Sequence, residues 1–343
     1  MKAAMLLGNQ SIEIKEIAEP TPEANEVILK VGYTGICGTD LHEYQAGPMF
    51  AKANVVLGHE TAGTIVACGN MSNKFSIGSR VTVIPMDYCG QCHYCVHGLY
   101  HLCEQPGWVG FTRNGAFAPY VAVPERLLVA LPEDVSLEVG ALTEHFAVAF
   151  HAVRRARLQV GERILILGAG PLGLAVMQCA LAAGASDVLV TETNKLRLET
   201  ASSLGATQVY NPVEEGAEER VMQRTGGIGV DVVFDCAGTQ KALELGFSCL
   251  RKRGRFIEMS AWGEVAKINT NNSLLAEHEI IFMFGYEMHD DFPAVLGLMA
   301  RGVIDAGKQI TKKISLDEIV KEGILPLVNG TGEEVKVLVD PAR

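Results

Sequence analysis

The rhythm of apolar positions changes near residue 160. Before it, apolar residues come in short β-branched runs (VILKVGYTG, GTIVACG, RVTVIP, APYVAVP) separated by Gly and Pro. That pattern predicts short strands joined by turns, a mostly β half that opens on MKAAML as its first strand. From Val160 onward, strand-like runs alternate with amphipathic stretches: RILILG then PLGLAVMQCALAAG, DVLVTE then NKLRLETASSLG, VDVVFDCAG then KALELGFSCLRKRG, then RFIEMS. This alternation predicts a doubly wound α/β domain, a parallel sheet with helices on both faces. After Phe284, the helical DFPAVLGLMARG and the apolar EVKVLVD are too little to fold alone and are expected to return to the first half. The expected organisation is therefore a catalytic domain over residues 1–150 and 286–343, with a nucleotide-binding domain inserted over 151–285. No internal repeat, low-complexity tract or long linker interrupts it.

Ile164–Ala185 is apolar enough to suggest a membrane span, but three glycines and a proline near its start fit a strand, a tight turn and a helix better. The N-terminal apolar run is too short for the core of a signal peptide. The formal charge of −11, broken only by the short basic tracts RRAR and RKRGR, argues against nucleic acid as a partner. At 343 residues and 48% hydrophobic, the chain buries enough core to need no disulfide staples, and a cytoplasmic location with reduced thiols is expected.

Against that background, four of the nine cysteines fall within CGQCHYCVHGLYHLC. Thiolates at this spacing suit a tetrahedral Zn²⁺, and Cys89, Cys92, Cys95 and Cys103 would fill all four positions, which makes the site structural. His93, His97 and His101 share the lobe but are not needed by a saturated ion. Cys68, Cys179, Cys236 and Cys249 lie in apolar contexts and read as small buried hydrophobes.

A second set of donors is scattered: Cys37 in GICGTDLHEY, His59 and Glu60 in LGHE, Glu144 and His145 in LTEHFAVAFHAV. A thiolate, an imidazole and a carboxylate from distant segments can hold an open catalytic zinc, although spacing alone leaves each residue an ordinary structural reading. In GAGPLG, Gly168, Gly170, Pro171, Leu172 and Gly173 follow the strand RILIL and open a helix, where a pyrophosphate can meet free N–H groups. Glu192, at the end of DVLVTE, lies at the expected distance to accept ribose hydroxyls and would repel a 2′-phosphate, which favours NAD. Lys195 and Arg197 follow as helix-face charges, ribose or adenine contacts, or a phosphate clamp.

Together, CGTDLHEYQAGPMF, GHE, the four-cysteine lobe and GAGPLG resemble the zinc-dependent medium-chain alcohol and polyol dehydrogenases along essentially the whole chain. The likeness is greatest to 2,3-butanediol and sorbitol dehydrogenases. The resemblance implies a GroES-like catalytic domain, a Rossmann domain, NAD, two Zn²⁺ per chain, and dimers or tetramers. It implies that Cys37 and His59 are catalytic zinc ligands, that Glu144 stands where many relatives have cysteine, and that Glu60 is a ligand or a neighbour that exchanges with water. It also implies a proton relay through Thr39 and His42. Relatives read Glu-Pro where this chain reads Glu144-His145, so the imidazole either competes for the metal or faces the pocket, and Glu144 is the favoured ligand. Rough alignment offers Tyr44, Trp108, Phe111 and Tyr286 as pocket aromatics. Oxidation of a vicinal diol to acetoin is the leading expectation; sorbitol, xylitol, threonine or a non-catalytic NAD-binding role are the alternatives.

Overall fold

In the computed structural model, which describes residues 1–214, 216–330 and 334–343, the change of rhythm is a change of architecture. One unit comprises Met1–Glu144, Glu287–Gly302 and Ile310–Arg343; the other comprises His145–Tyr286 and Val303–Gln309.

The first unit is built on a seven-stranded sheet in the order Leu128–Ala130, Arg80–Val83, Glu60–Cys68, Glu26–Gly35, Lys336–Asp340, Ile310–Ser315, with Tyr120–Pro124 also paired to Glu26–Gly35. A smaller three-stranded sheet joins Ser11–Glu16, Lys2–Gly8 and Val55–Val56. Two register facts position the chemistry. Gly35 pairs with Glu60 on one side and with Leu338 on the other, so three strand ends from distant parts of the chain lie side by side. The core beneath them gathers Leu6, Ile36, Leu57, Phe111, Phe117, Ile314 and Val339.

The second unit is a six-stranded parallel sheet in the order Gln208–Tyr210, Asp187–Thr191, Arg163–Leu167, Val230–Asp235, Leu250–Glu258, Glu279–Phe282. In chain order this is 3-2-1-4-5-6, the doubly wound arrangement, with its switch point between Arg163–Leu167 and Val230–Asp235. The three central strands, Asp187–Thr191, Arg163–Leu167 and Val230–Asp235, are nearly all buried, as a sheet covered on both faces requires. The apolar stretch Ile164–Ala185 resolves into a strand ending at Leu167, a turn, and the helix Pro171–Ala182. Among the described residues, no helix is long and apolar enough to cross a membrane. One element departs from the pattern: the fifth strand begins at Leu250 rather than at the apolar RFIEMS, because Leu250 already pairs with Val230 before the register shifts.

Candidate active site

Cys37 stands two residues beyond the end of the strand Glu26–Gly35 and caps the helix Gly38–Ala46. Its N–H donates to Asp40 Oδ2 at 2.9 Å, which fixes the turn that presents the thiol. The other oxygen of Asp40 faces His59 Nδ1 at 3.5 Å, both side chains being buried. A carboxylate behind Nδ1 holds the proton there and leaves Nε2 free to coordinate, the usual outer partner of a metal-binding histidine. Burial lowers the His59 pKa, but Asp40 and Cys37 outweigh it and hold the imidazole well above its ordinary value.

The donor atoms of Cys37, His59 and Glu60 all lie within 4.8 Å of one another. Three unlike donors converging on one point fit a divalent ion with an open position. Glu144, one residue into the helix Thr143–Arg155, lies outside that triad but within its field. Burial pushes its carboxyl up to about 7; His59 and Lys336 pull it down, while Glu60 and Asp40 raise it. A carboxyl balanced near neutrality gives up its proton readily to a cation, which suits a ligand.

Lys336, which sequence reasoning missed, is 1% exposed and forms an ion pair with Glu60. Its Nζ also donates to Ile36 O at 3.1 Å. The neighbouring carboxylates and Cys37 outweigh the effect of burial and keep it protonated. The close approach depends on Gly35, where an added Cβ would meet Glu60 Oε2 at 2.2 Å and Lys336 Cε at 2.9 Å. No local signal marks Lys336; it stands in the apolar run VKVLVD, and only the strand pairing brings it to the site. Asp40 was equally hidden, since an aspartate in the first turn of a helix has an ordinary reading as a helix-dipole partner.

Thr39 and His42 lie three apart on the helix Gly38–Ala46 and so share a face. Thr39 Oγ1 is 3.7 Å from Cys37 Sγ. Further along, the buried Glu43 carboxylate accepts from the N–H groups of Met49 (2.8 Å) and Phe50 (2.7 Å), suspending the next loop from the helix. Lys52 N donates to Phe111 O at 2.8 Å and ties down the far end of that loop. Phe50, Trp108 and Phe111 form an aromatic wall: Phe50 stacks on Trp108 at 6.2 Å, Trp108 meets Phe111 at 6.1 Å, and Phe111 lies 4.9 Å from His59. Tyr44 belongs to the core, at 9% exposure, and Tyr286 is fully buried.

The cysteine lobe is a separate cluster. All four thiols are free, and their sulfurs lie within 4.8 Å of one another. Cys89–Cys95 and Cys92–Cys103 are 3.9 and 4.0 Å apart, close to the ~3.8 Å between sulfurs bonded tetrahedrally to one zinc. Backbone N–H groups of Cys89 and Gln105 donate to Cys103 Sγ, and that of Cys92 to Cys89 Sγ, which stabilises thiolate charge. Backbone N–H groups of Glu104 and Cys95 lower the Cys92 pKa to about 6, whereas burial raises Cys95 to about 12. His93 and His97 turn toward one another, with His97 Nδ1 bonded to His93 O, and neither they nor His101 join the sulfur group.

In the second unit, Gly168 adopts φ +92° and Gly170 caps the helix with Pro171 at its first position. A Cβ on Gly173 would lie 1.9 Å from Gly168 O, so the turn closes this tightly only with glycine. Glu192 is 9% exposed, and its Oε2 accepts from Ala169 N at 2.9 Å. Its Oε1 accepts from Thr193 N and Asn194 N, which places an oriented carboxylate beside the glycine turn. Arg197 Nη1 lies 3.9 Å from Glu192 Oε2, while Lys195 is almost fully solvated and faces Glu199. His145 Nε2 is 3.2 Å from the Gln309 side chain rather than in either group that could hold a metal.

A glycine-rich strand-to-helix turn in one unit and an open set of soft and hard metal-ligand donors in the other are the parts that a metal-assisted, dinucleotide-dependent oxidoreductase requires. Comparison with known proteins narrows that class. The family "Alcohol dehydrogenase GroES-like domain" matches residues 23–133, and "Zinc-binding dehydrogenase" matches residues 171–301. (R,R)-butanediol dehydrogenase of Bacillus subtilis is 38% identical, covering 99% of this chain and all of that protein. Sorbitol dehydrogenase of the same organism is 33% identical over all of this chain and 98% of its own length. The crystal structure of the B. subtilis 2R,3R-butanediol dehydrogenase superposes with a TM-score of 0.91 at 37% identity, covering 99% of each chain. The chain belongs to the zinc-dependent alcohol dehydrogenase family, and it is an alcohol dehydrogenase.

Proposed function

We propose that this enzyme oxidises small vicinal secondary diols of the 2,3-butanediol class, with NAD as hydride acceptor and zinc at both the open and the four-sulfur sites. The observation that carries the chemistry is the convergence of Cys37, His59 and Glu60 on one point, with Glu144 in their field. Zn²⁺ held there would supply the Lewis acidity that brings a substrate hydroxyl's pKa toward neutrality. Bound NAD would supply the electrophilic carbon that accepts hydride.

The chain's own groups do the rest. Asp40 holds His59 in the coordinating tautomer. Thr39, next to the thiol, accepts the substrate proton, and His42, one turn along the same helix face, passes it toward solvent. Leu172 and Gly173, at the start of the glycine-turn helix, offer N–H groups to the pyrophosphate, and Glu192 accepts the adenosine ribose hydroxyls. The wall of Phe50, Trp108 and Phe111 favours a diol with methyl ends. A hexitol would leave hydroxyl groups unpaired against those rings, a cost of about tenfold to a hundredfold in specificity.

A panel of 2,3-butanediol, sorbitol, xylitol and threonine with NAD tests this reading. Butanediol is expected to exceed each of the others at least about tenfold in kcat/KM; preferential turnover of a hexitol or of threonine would overturn it. Glu192→Ser is expected to reduce kcat/KM for NAD by about 10–100-fold through loss of a charged acceptor, while NADP use rises as the repulsion disappears. Unchanged preference between the two dinucleotides would remove Glu192 from the ribose site.

A further inference from the structure

His145 follows Glu144 at the start of the helix Thr143–Arg155, and the structure gives that imidazole a specific neighbour. Gln309 is fully buried and His145 is 4% exposed. A buried carboxamide must place two N–H donors and one acceptor oxygen, and here the surroundings allow one orientation. The Gln309 nitrogen faces Pro171 O at 3.1 Å, which can only accept, and its oxygen faces Ala175 N at 3.3 Å, which can only donate. The remaining N–H points at His145 Nε2, 3.2 Å away, so that nitrogen must present its lone pair and the ring proton sits on Nδ1.

Pro171 and Ala175 are four apart, the spacing of a helical i to i+4 hydrogen bond, at the very start of the helix Pro171–Ala182. The carboxamide therefore brackets the first turn of the helix whose leading N–H groups, Leu172 and Gly173, face the pyrophosphate in the proposed function. A second clamp lies further along, where Asp305 N donates to Gln178 Oε1 at 2.8 Å. The segment Val303–Gln309 thus holds the helix from one side, and His145 is the group that completes the bonding of its innermost member.

We propose that His145 and Gln309 are positioning residues for the dinucleotide: His145 Nε2 accepts from Gln309, Gln309 clamps the first helical turn, and the clamped turn holds its N–H groups preorganised for the pyrophosphate. This rests on reading that turn as the dinucleotide site. Preorganisation acts on affinity, because a loosened turn must be ordered again each time the ligand binds. Neither side chain touches the reacting atoms, so their effect falls on cofactor binding and spares turnover at saturation.

The test is NADH fluorescence titration of the full-length, zinc-loaded protein. His145→Phe keeps the ring and removes the acceptor; Gln309→Leu keeps the volume and removes the clamp. Each is expected to weaken NADH binding about tenfold, the effect of one buried hydrogen-bonded link. kcat at saturating NAD and KM for the diol should stay within about twofold. In the double variant the loss should not exceed that of Gln309→Leu alone, since both act through one chain of contacts. His145→Gln, whose Oε1 sits where Nε2 does, should restore most of the affinity, which also covers the case in which His145→Phe folds poorly. Wild-type affinity in His145→Phe, additive losses in the double variant, or a His145→Gln as weak as His145→Phe would overturn the proposal while leaving the dinucleotide site standing. A wild-type protein that binds no NADH would overturn both.

Discussion

Cys37→Ser is expected to lower kcat/KM by more than about a thousandfold and to reduce bound zinc from about two ions per chain to about one. A serine hydroxyl stays protonated where the thiol would ionise, so the open site loses one of its few charged donors, together with the soft ligand that zinc prefers. The four-sulfur lobe shares no donor with it and should keep its ion. Elemental analysis alongside steady-state kinetics reads both effects on one preparation. Wild-type activity in Cys37→Ser, or a single zinc in the fully active wild type, would remove the open site from the chemistry.

The second large effect is expected at Lys336, and it runs in the opposite direction for the metal. In the folded chain, Glu60 has a buried ammonium as its partner. Lys336→Met removes that cation while keeping much of the side chain's length and bulk. With zinc bound, a Glu60 no longer shared with Lys336 would hold the ion more tightly and yield less readily to substrate. kcat is then expected to fall about 10–100-fold, as for loss of an outer partner of a metal site, while a chelator strips the ion more slowly. In the metal-free protein the same carboxylate loses its buried ammonium partner, which costs about 3–5 kcal/mol and lowers the melting temperature. Lys336→Arg should recover part of both properties. A Lys336→Met enzyme with ordinary turnover and ordinary zinc release would show that Glu60 is held by something else.

The two variants also mark where sequence reading succeeds. The doubly wound sheet was legible because its central strands are buried on both faces and therefore carry apolar runs such as the ILIL of RILIL and the VVF of VDVVFD. The cysteine lobe was legible because its donors are local. Cys37 and His59 were legible through the motifs around them, and their approach to one another follows from the register of Gly35 with Glu60. Lys336 was not, since it reaches the site through a strand pairing between opposite ends of the chain and has no periodic or compositional mark. Val303–Gln309 was equally opaque: nothing in VIDAGKQ indicates that it packs with the nucleotide-binding unit while the residues on either side belong to the other. His145 could be noticed as unusual beside Glu144, yet its partner Gln309 could not be guessed. Such pairings are decided by tertiary contacts between single side chains, below the scale at which hydrophobic patterning operates.

The loop suspended from Glu43 has a consequence for how the enzyme can diversify. Glu43 anchors Met49 and Phe50 through their backbone N–H groups, so the side chains can be replaced without disturbing that anchor. The zinc donors sit on other segments and would not register the exchange. Selection can therefore re-tailor the aromatic wall, residue by residue, for bulkier or more hydroxylated alcohols while the catalytic core is inherited unaltered.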